Sequence, residues 1–140
     1  MGKNLRKKKK KYANVVMLLL ILFVLFFIVL QDKNIKVSVD ELVNNYSLDI
    51  SASDKRFLNK EIELTGELKA FLQFESDKSL LELRTTSDEL KLYCILMNKE
   101  IEAKVLTLTV GTPITVYGKC LGIKNYKFPH SIYIEVEQIK

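Results

Sequence analysis

The sequence is poor in the residues that build catalytic and metal centres. Its 140 residues include one histidine, His130, two cysteines and no tryptophan. A single histidine without clustered acids gives no support to a zinc site or a Ser-His-Asp arrangement, and we interpret His130 as a turn or surface residue. The five glycines form neither a G-x-G-x-x-G motif nor a P-loop, so no nucleotide cradle is predicted. The sequence therefore predicts a non-enzymatic protein without a metal or a cofactor.

Acidic residues are absent from the first 31 positions, where Lys3, Arg6 and the run 7–11 supply seven positive charges. The rest of the chain, residues 31–140, carries 15 basic and 17 acidic residues. The positive net charge of +5 therefore comes from the N-terminal tail, and the rest of the chain is mildly acidic. A mildly acidic domain argues against a broad nucleic-acid-binding surface, which requires positive charge.

An uncharged run extends from Tyr12 to Gln31, and residues 15–30 are all Val, Met, Leu, Ile or Phe. Twenty helical residues reach about 30 Å, the thickness of the hydrocarbon core of a bilayer. A buried core helix would show a polar stripe, which this run lacks. A cleavable signal peptide is the stronger alternative, but residues 30–34 lack the small residues of a cleavage site. The run predicts an uncleaved signal anchor that spans the bilayer.

Basic residues beside a membrane span stay on the cytoplasmic side. We therefore expect a cytoplasmic N-terminus and a periplasmic or extracellular C-terminal domain, held by a single span in a bacterial cytoplasmic membrane. The predicted organisation is a basic tail at 1–11, the anchor at 12–31, a spacer and amphipathic helix at 32–59, and a folded domain at 60–140.

The spacing of apolar residues changes along the exported part. Apolar residues from 39 to 46 recur at helical spacing and predict a short amphipathic helix. The polar passage 47–59 is either a loop or a second, weaker helical turn. From Lys60 the period becomes 2, which is typical of a strand, and Gly66 inside it indicates a bulge or a sharp bend. The helical positions are Val39, Leu42, Val43 and Tyr46.

Five strands and one short helix follow from the same patterns. The order of three strands, a helix and two strands, after a leading helix, predicts a mainly β protein whose domain is a five-stranded OB-fold barrel. The predicted strands cover residues 60–70, 79–84, 89–97, 114–120 and 131–139, with the helix at 98–106.

Three segments carry a family resemblance: residues 57–68 (FLNKEIELTGEL), 92–94 (LYC) and 111–122 (GTPITVYGKCLG). They resemble the bacterial tRNA_anti-like family, and the similarity extends over about residues 40–139. The resemblance implies an OB-fold and an N-terminal membrane or lipoprotein signal, but no general molecular function. Members commonly carry a cysteine in the last strand, where this chain has Glu135 to Gln138.

The two cysteines, Cys94 and Cys120, fall on the inward side of their predicted strands. A thiol there behaves as a small apolar residue. An oxidising compartment would also permit a disulfide between them. Both alternatives stay open from the sequence.

OB-folds bind through the face of their second and third strands and the two flanking loops. The loop between the last two strands interleaves basic and aromatic residues, which suit stacking on rings and contact with phosphate or carboxylate. The predicted ligand is an envelope protein, a glycan or a small molecule, with nucleic acid as the alternative. In another interpretation the aromatic residues close the open end of the barrel. The candidate binding residues are Lys124, Tyr126, Lys127 and Phe128, with Phe74 and Arg84 from the opposite side.

Overall fold

The computed structural model describes residues 14–26, 34–73 and 78–140. The chain divides into two units, residues 1–33 and residues 34–140. In the first unit, residues 14–26 form helix α1, whose side chains are exposed. Within the described ranges, no helix is long and apolar enough to span a membrane. Both ends of the predicted anchor, Tyr12 and Gln31, and the basic tail lie outside those ranges.

The second unit contains six strands and three helices in its described residues. The five strands predicted from the sequence correspond to β2 to β6, and both predicted helices are present. In chain order the elements are β1 (Ile35–Ser38), α2 (Val39–Leu48), α3 (Ile50–Phe57), β2 (Glu61–Gln73), β3 (Ser79–Leu83), β4 (Lys91–Leu96), α4 (Lys99–Leu106), β5 (Pro113–Lys124) and β6 (Ser131–Ile139).

The sheet closes on itself because β2 pairs with two different strands. Its first half pairs with β5, from Glu61 opposite Lys119 to Glu67 opposite Pro113. Its second half pairs with β3. The ring β2-β3-β4-β6-β5 is antiparallel except for the parallel pair of β4 and β6. A closed sheet leaves no exposed edge within the ring.

Strand β1 lies in the segment that the sequence predicts as a polar spacer. It runs parallel to β2, with Ile35 opposite Ile62 and Ser38 opposite Thr65. Four residues with a single fully buried side chain, Val37, carry too little periodicity to predict a strand. The pairing exists because β3 leaves this part of the β2 edge open.

Two helices connect β1 to β2, and a polar side chain caps each of them. The Ser38 hydroxyl accepts a hydrogen bond from the Glu41 N–H at 3.1 Å, which begins α2. The Asp49 carboxylate accepts one from the Ala52 N–H at 2.9 Å, which begins α3. Helix α2 buries the four apolar residues predicted for it. Helix α3 shows that the passage 47–59 contains a second helix.

The core lies inside the closed sheet and under α2. Alternate residues of each strand point inward, so that Leu92, Cys94 and Leu96 of β4 meet Ile132, Ile134 and Val136 of β6. Complete burial of one such aliphatic side chain stabilises the fold by about 1.5–3 kcal/mol. The alternation that the sequence predicts for the strands therefore accounts for the core.

Both cysteines are buried as free thiols. Cys94 and Cys120 are each opposite Ile134, so β6 separates them. Two strand spacings place their Cα atoms about 9–10 Å apart, whereas a disulfide requires less than about 7 Å. Burial raises the pKa of both thiols. They act as small apolar core residues.

The structure corrects the interpretation of Gly66. The β-sheet irregularity in β2 lies between Leu68 and Ala70, and Gly66 itself pairs regularly with Ile114. A Cβ at position 66 would overlap the Val39 side chain. The glycine therefore provides room for α2 to pack on β2.

Gly118 has a similar steric role where β5 meets β6. A Cβ there would overlap the backbone carbonyl oxygen of Glu135, which cannot rotate away. We expect Gly118→Ala to lower the free energy of unfolding by about 3 kcal/mol, the upper range for overpacking. Urea denaturation of the full chain in uncharged detergent measures the change. The control is Thr65→Ala at an exposed strand position, and equal stability of the two variants would contradict the prediction.

Candidate functional site

The outward face of the sheet carries a second apolar cluster, separate from the core. Leu80, Tyr93, Ile95 and Tyr133 are buried there, although they point away from the interior of the sheet. Tyr93 lies opposite Glu82 on one side and Tyr133 on the other, so the three form one row across β3, β4 and β6. Side chains on an outer face stay buried only when another segment covers them.

The covering segment is the loop 125–130 between β5 and β6. The Phe128 ring stacks on the Tyr93 ring with centroids 4.6 Å apart and planes 19° apart. The Tyr126 ring meets the edge of the Tyr133 ring at 4.9 Å and 66°. Both geometries are favourable for aromatic pairs. The loop therefore lies on the face through which OB-folds bind, with Tyr126 outermost and 45% exposed.

Hydrogen bonds hold this loop in place. The Tyr133 hydroxyl donates to the Phe128 carbonyl oxygen at 2.9 Å and accepts from the Phe128 N–H at 3.1 Å. The His130 N–H donates to the Asn125 Oδ1 at 3.0 Å, and this closes the loop at its base. His130 has a φ of 52°, in the left-handed region. Both backbone groups of Phe128 form hydrogen bonds with the Tyr133 hydroxyl. These bonds hold the Phe128 ring in place against the sheet.

Three lysines lie near the aromatic surface. The Lys127 ammonium donates to the Gln73 carbonyl oxygen at the end of β2, and it lies 5.7 Å from the Phe128 ring centroid. Lys91 and Lys124 are both opposite Ser131, one on each neighbouring strand. Residues opposite each other in a sheet share a face, so these two lysines flank one end of the loop.

Glu82 is the buried acid of this face. Its side chain is mostly buried, and its carboxylate lies 2.7 Å from the Lys69 ammonium. Burial, with a contribution from the nearby Glu82, raises the pKa of Tyr93 to about 12. Tyr93 therefore remains neutral at physiological pH. The Lys69 ammonium neutralises the buried Glu82 carboxylate, whereas Lys127 of the loop is exposed at the surface.

The structure brings together four of the six predicted binding residues: Lys124, Tyr126, Lys127 and Phe128. Phe74 lies outside the described residues. Arg84 is elsewhere: its Nε atom is 3.4 Å from Glu67, and it lines a different cleft, near Asp40 and Thr86.

The interpretation in which Tyr126 and Phe128 close the open end of the barrel does not match their positions. Neither ring belongs to the core cluster, and Phe128 packs with the outer cluster. Sequence reasoning missed the two residues beneath them, Tyr93 and Tyr133. Each tyrosine alternates with core residues in its strand, and an aromatic ring on the outward side of a strand is the signal that identifies them.

The described residues contain no group of three metal-ligating side chains. What the face presents is an exposed tyrosine that contacts a buried tyrosine, with Lys91, Lys124 and Lys127 on neighbouring segments. Such an arrangement suits stacking against a flat ring and contact with a negative group.

The strand order, the closing pair of β2 and β5, and the helix between β4 and β5 define an OB-fold domain. The chain belongs to the tRNA_anti-like family, whose model matches residues 6–128. The family predicted from sequence resemblance is thereby confirmed. No curated protein matches the sequence.

Solved structures show the same fold at low sequence identity. A candidate nucleic acid-binding lipoprotein from Klebsiella pneumoniae matches with a TM-score of 0.56 and 14% identity, over 75% of this chain and 92% of that one. The asparaginyl-tRNA synthetase of Pyrococcus horikoshii matches with a TM-score of 0.51 and 15% identity, over 75% of this chain. The chain spans only 22% of that synthetase and 20% of a candidate aspartyl-tRNA synthetase from Leishmania major (TM-score 0.52, 12% identity, 77% of this chain).

Removal of the Tyr133 hydroxyl tests how the loop is held. We expect Tyr133→Phe to speed amide exchange at Phe128 and to lower the free energy of unfolding by about 1 kcal/mol, the net value of such a hydrogen bond. Hydrogen exchange with mass spectrometry on the peptide that contains the loop measures this effect. The control is Tyr117→Phe, at a half-buried position in the first half of β5, whereas the loop follows the end of β5. Unchanged exchange in the Tyr133 variant would show that the hydroxyl does not restrain the loop.

Proposed function

We propose that this protein is a non-enzymatic, membrane-anchored OB-fold barrel that binds its ligand through the loop 125–130 and the adjacent Lys124. One observation carries the proposal: Tyr126 is 45% exposed although the Tyr133 ring that it contacts is fully buried, and Lys124 and Lys127 flank Tyr126 in sequence. A large aromatic side chain that is exposed on a rigid base is typical of a recognition surface.

The chemistry of the face describes its ligand. A ring of a sugar or an aromatic group would stack on Tyr126, and a phosphate or carboxylate group on that ligand would contact the lysines. Little reorganisation is required on binding, because hydrogen bonds and stacking already order the loop. An envelope protein, a glycan or a small molecule with these features satisfies the site.

Nucleic acid is the second candidate, and two observations favour it. Tyr126 with its flanking lysines also suits a base and its phosphate. The Klebsiella protein that shares the fold along most of its length is described as a candidate nucleic acid-binding lipoprotein. Against it stand the mildly acidic balance of the domain and the acids Glu82 and Glu135 on the outward face. These restrict any positive surface to the immediate surroundings of the loop.

A Tyr126→Ala variant of the full chain tests the binding site. Loss of one stacking platform is worth about 1–3 kcal/mol, so we expect affinity for the ligand to fall by about 10-fold or more with little change in thermal stability. The assay uses a single-stranded deoxythymidine oligomer and a panel of envelope glycan fragments. Tyr117→Ala serves as the aromatic control. Equal binding by Tyr126→Ala and the unsubstituted protein would contradict the proposal.

The steepness of the salt dependence tests the nucleic-acid candidate. Binding of the oligomer through several phosphate contacts must weaken steeply as salt rises, whereas a ligand with one anionic group loses much less affinity. Oligomer binding that is absent or independent of salt would exclude nucleic acid.

The anchor is the second part of the proposal. Support comes from the 20 uncharged residues 12–31, the basic tail before them, and a family match that starts at residue 6 and so includes this segment. The helical backbone of residues 14–26 agrees with a helical span. The domain would then lie outside the cytoplasm of a bacterial cell, where envelope ligands are accessible.

A topology assay tests this placement. A C-terminal reporter that is active only outside the cytoplasm should give a signal in cells, and protease added to spheroplasts should degrade residues 34–140. Reversal of the N-terminal charge, with Glu at each position of the run 7–11, should reduce the signal severalfold because basic residues determine orientation. A cytoplasmic C-terminus in the unaltered protein would contradict the anchor orientation and make nucleic acid the leading candidate.

A further inference from the structure

Strand directions place the loop 125–130 and the start of β1 at one end of the closed sheet. β1 runs parallel to β2, β2 is antiparallel to β5, and β5 is antiparallel to β6. The start of β1 therefore lies at the same end as the end of β5 and the start of β6, which the loop connects. We call this the loop end. Helix α4 connects β4 to β5 and lies at the opposite end.

The sheet register shows how far the loop extends toward this end. The first residue of β1 is level with Gly118 of β5, because both have the same partner in β2. Four residues further along β5, Gly122 lies opposite Tyr133, the residue that the Tyr126 ring contacts. Four strand residues cover about 13 Å. Tyr126 is therefore nearer the loop end than the point where the chain enters β1.

The proposed anchor limits where this end can lie. The anchor ends at Gln31, and residues 32–34 separate it from β1. Three extended residues span at most about 11 Å. In that topology the start of β1 would stay close to the bilayer surface, and the loop end would be the end of the domain nearest to that surface.

The side chains of the loop end suit a membrane surface. Tyr126 is exposed, and tyrosine is enriched where a bilayer meets water. Lys124 and Lys127 flank it in sequence, and Lys91 lies opposite Ser131 at the base of the loop. Beside a bilayer, the negative groups within reach of these ammonium groups are the phosphates of lipid headgroups.

Acids at the same end restrict the kind of contact. Asp49 and Glu89 lie with His130 around the cleft beside the loop. Their charge opposes a diffuse attraction to an anionic membrane, which requires a cluster of basic residues. Recognition must therefore come from one headgroup that meets the tyrosine and the lysines together.

We propose that the loop 125–130 binds a lipid headgroup in which a phosphodiester joins a hydroxylated ring, such as inositol or a sugar, to the lipid. This inference rests on the proposed function and names the ligand of the same site. The ring packs against Tyr126, and the phosphate accepts hydrogen bonds from Lys124 or Lys127. A lipid with the phosphate but no ring, or with the ring but no phosphate, makes only part of these contacts.

The absence of tryptophan from the sequence allows the position of the loop to be measured directly. Tyr126→Trp introduces a single fluorophore and keeps an aromatic ring at the site. The full chain is placed in nanodiscs of phosphatidylcholine and phosphatidylinositol, with or without bromine on the acyl chains. An aromatic ring at the bilayer surface lies within reach of this quencher, so we expect bromine to lower the emission by about twofold or more.

Leu106→Trp provides the matched control. Leu106 is the last residue of α4 and is exposed at the opposite end of the sheet. We expect bromine to leave the emission of this variant unchanged. Equal quenching of the two variants would overturn the placement of the loop end at the bilayer.

Three lipids test the headgroup. They are phosphatidylinositol, phosphatidylglycerol, which has the charge but no ring, and galactosyl diacylglycerol, which has the ring but no charge. Each is added to phosphatidylcholine nanodiscs at increasing mole fraction, and the emission maximum of the Tyr126→Trp variant is recorded. We expect phosphatidylinositol to saturate the shift at a mole fraction about 10-fold lower than either of the others.

Removal of two charges in the Tyr126→Trp background tests the lysines. Lys124→Gln with Lys127→Gln should raise the half-saturating fraction of phosphatidylinositol by about 10-fold, because charge-assisted hydrogen bonds to the phosphate are lost. Lys99→Gln with Lys140→Gln removes the same charge at the opposite end of the sheet. Salt screens such distant charges, so this control should change the fraction by less than about twofold. The melting temperature verifies that each variant is folded.

Free inositol 1-phosphate, added to the Tyr126→Trp variant in uncharged detergent, separates a lipid source from a soluble one. A response to the free compound without a response to phosphatidylinositol would overturn the lipid inference and retain the proposed binding loop. Equal saturation by phosphatidylglycerol or galactosyl diacylglycerol would overturn the headgroup assignment. If no lipid and no free compound changes the emission, and Tyr126→Ala binds the oligomer and glycan fragments as the unsubstituted protein does, the proposed function fails as well.

Discussion

The fold depends on the double pairing of β2, which is bonded to β5 along its first half and to β3 along its second half. This single long strand converts an open sheet into a closed ring. Closure requires close approach of the β5 and β6 backbones at Gly118, and the packing of α2 on β2 requires the absence of a side chain at Gly66. The same pairing leaves room on the β2 edge for β1. The apolar interior and the position of α2 both follow from this arrangement.

The closed sheet has an inner face and an outer face, and each carries its own apolar cluster. Inward residues form the core, whereas Tyr93 and Tyr133 face outward and form a base for the loop 125–130. The Tyr133 hydroxyl forms hydrogen bonds with both backbone groups of Phe128, and these bonds attach the loop to β6. The described residues of a small domain thereby present an ordered aromatic surface.

Periodicity predicted most of the fold, since helical and strand spacing require only local sequence. The helix with Val39, Leu42, Val43 and Tyr46, the five long strands and the helix α4 were all predicted. Strand β1 and the role of Gly66 were not, because both depend on what β2 meets in space. For the candidate site, the basic and aromatic pattern predicted Lys124, Tyr126, Lys127 and Phe128, and their role in binding stays a prediction. Arg84 was grouped with them, but in the structure it contacts Glu67.

The sequence by itself determined the composition of each segment: a basic tail, a 20-residue uncharged run, alternating strands and an aromatic, basic loop. It also identified the family through short motifs of the strands. Only the tertiary structure decided which side of the sheet the loop covers, which tyrosines support it and whether the two thiols are bonded. Each of these depends on contacts between residues distant in sequence. Ile134 separates Cys94 from Cys120 because β6 lies between β4 and β5, and that order arises only when the sheet closes.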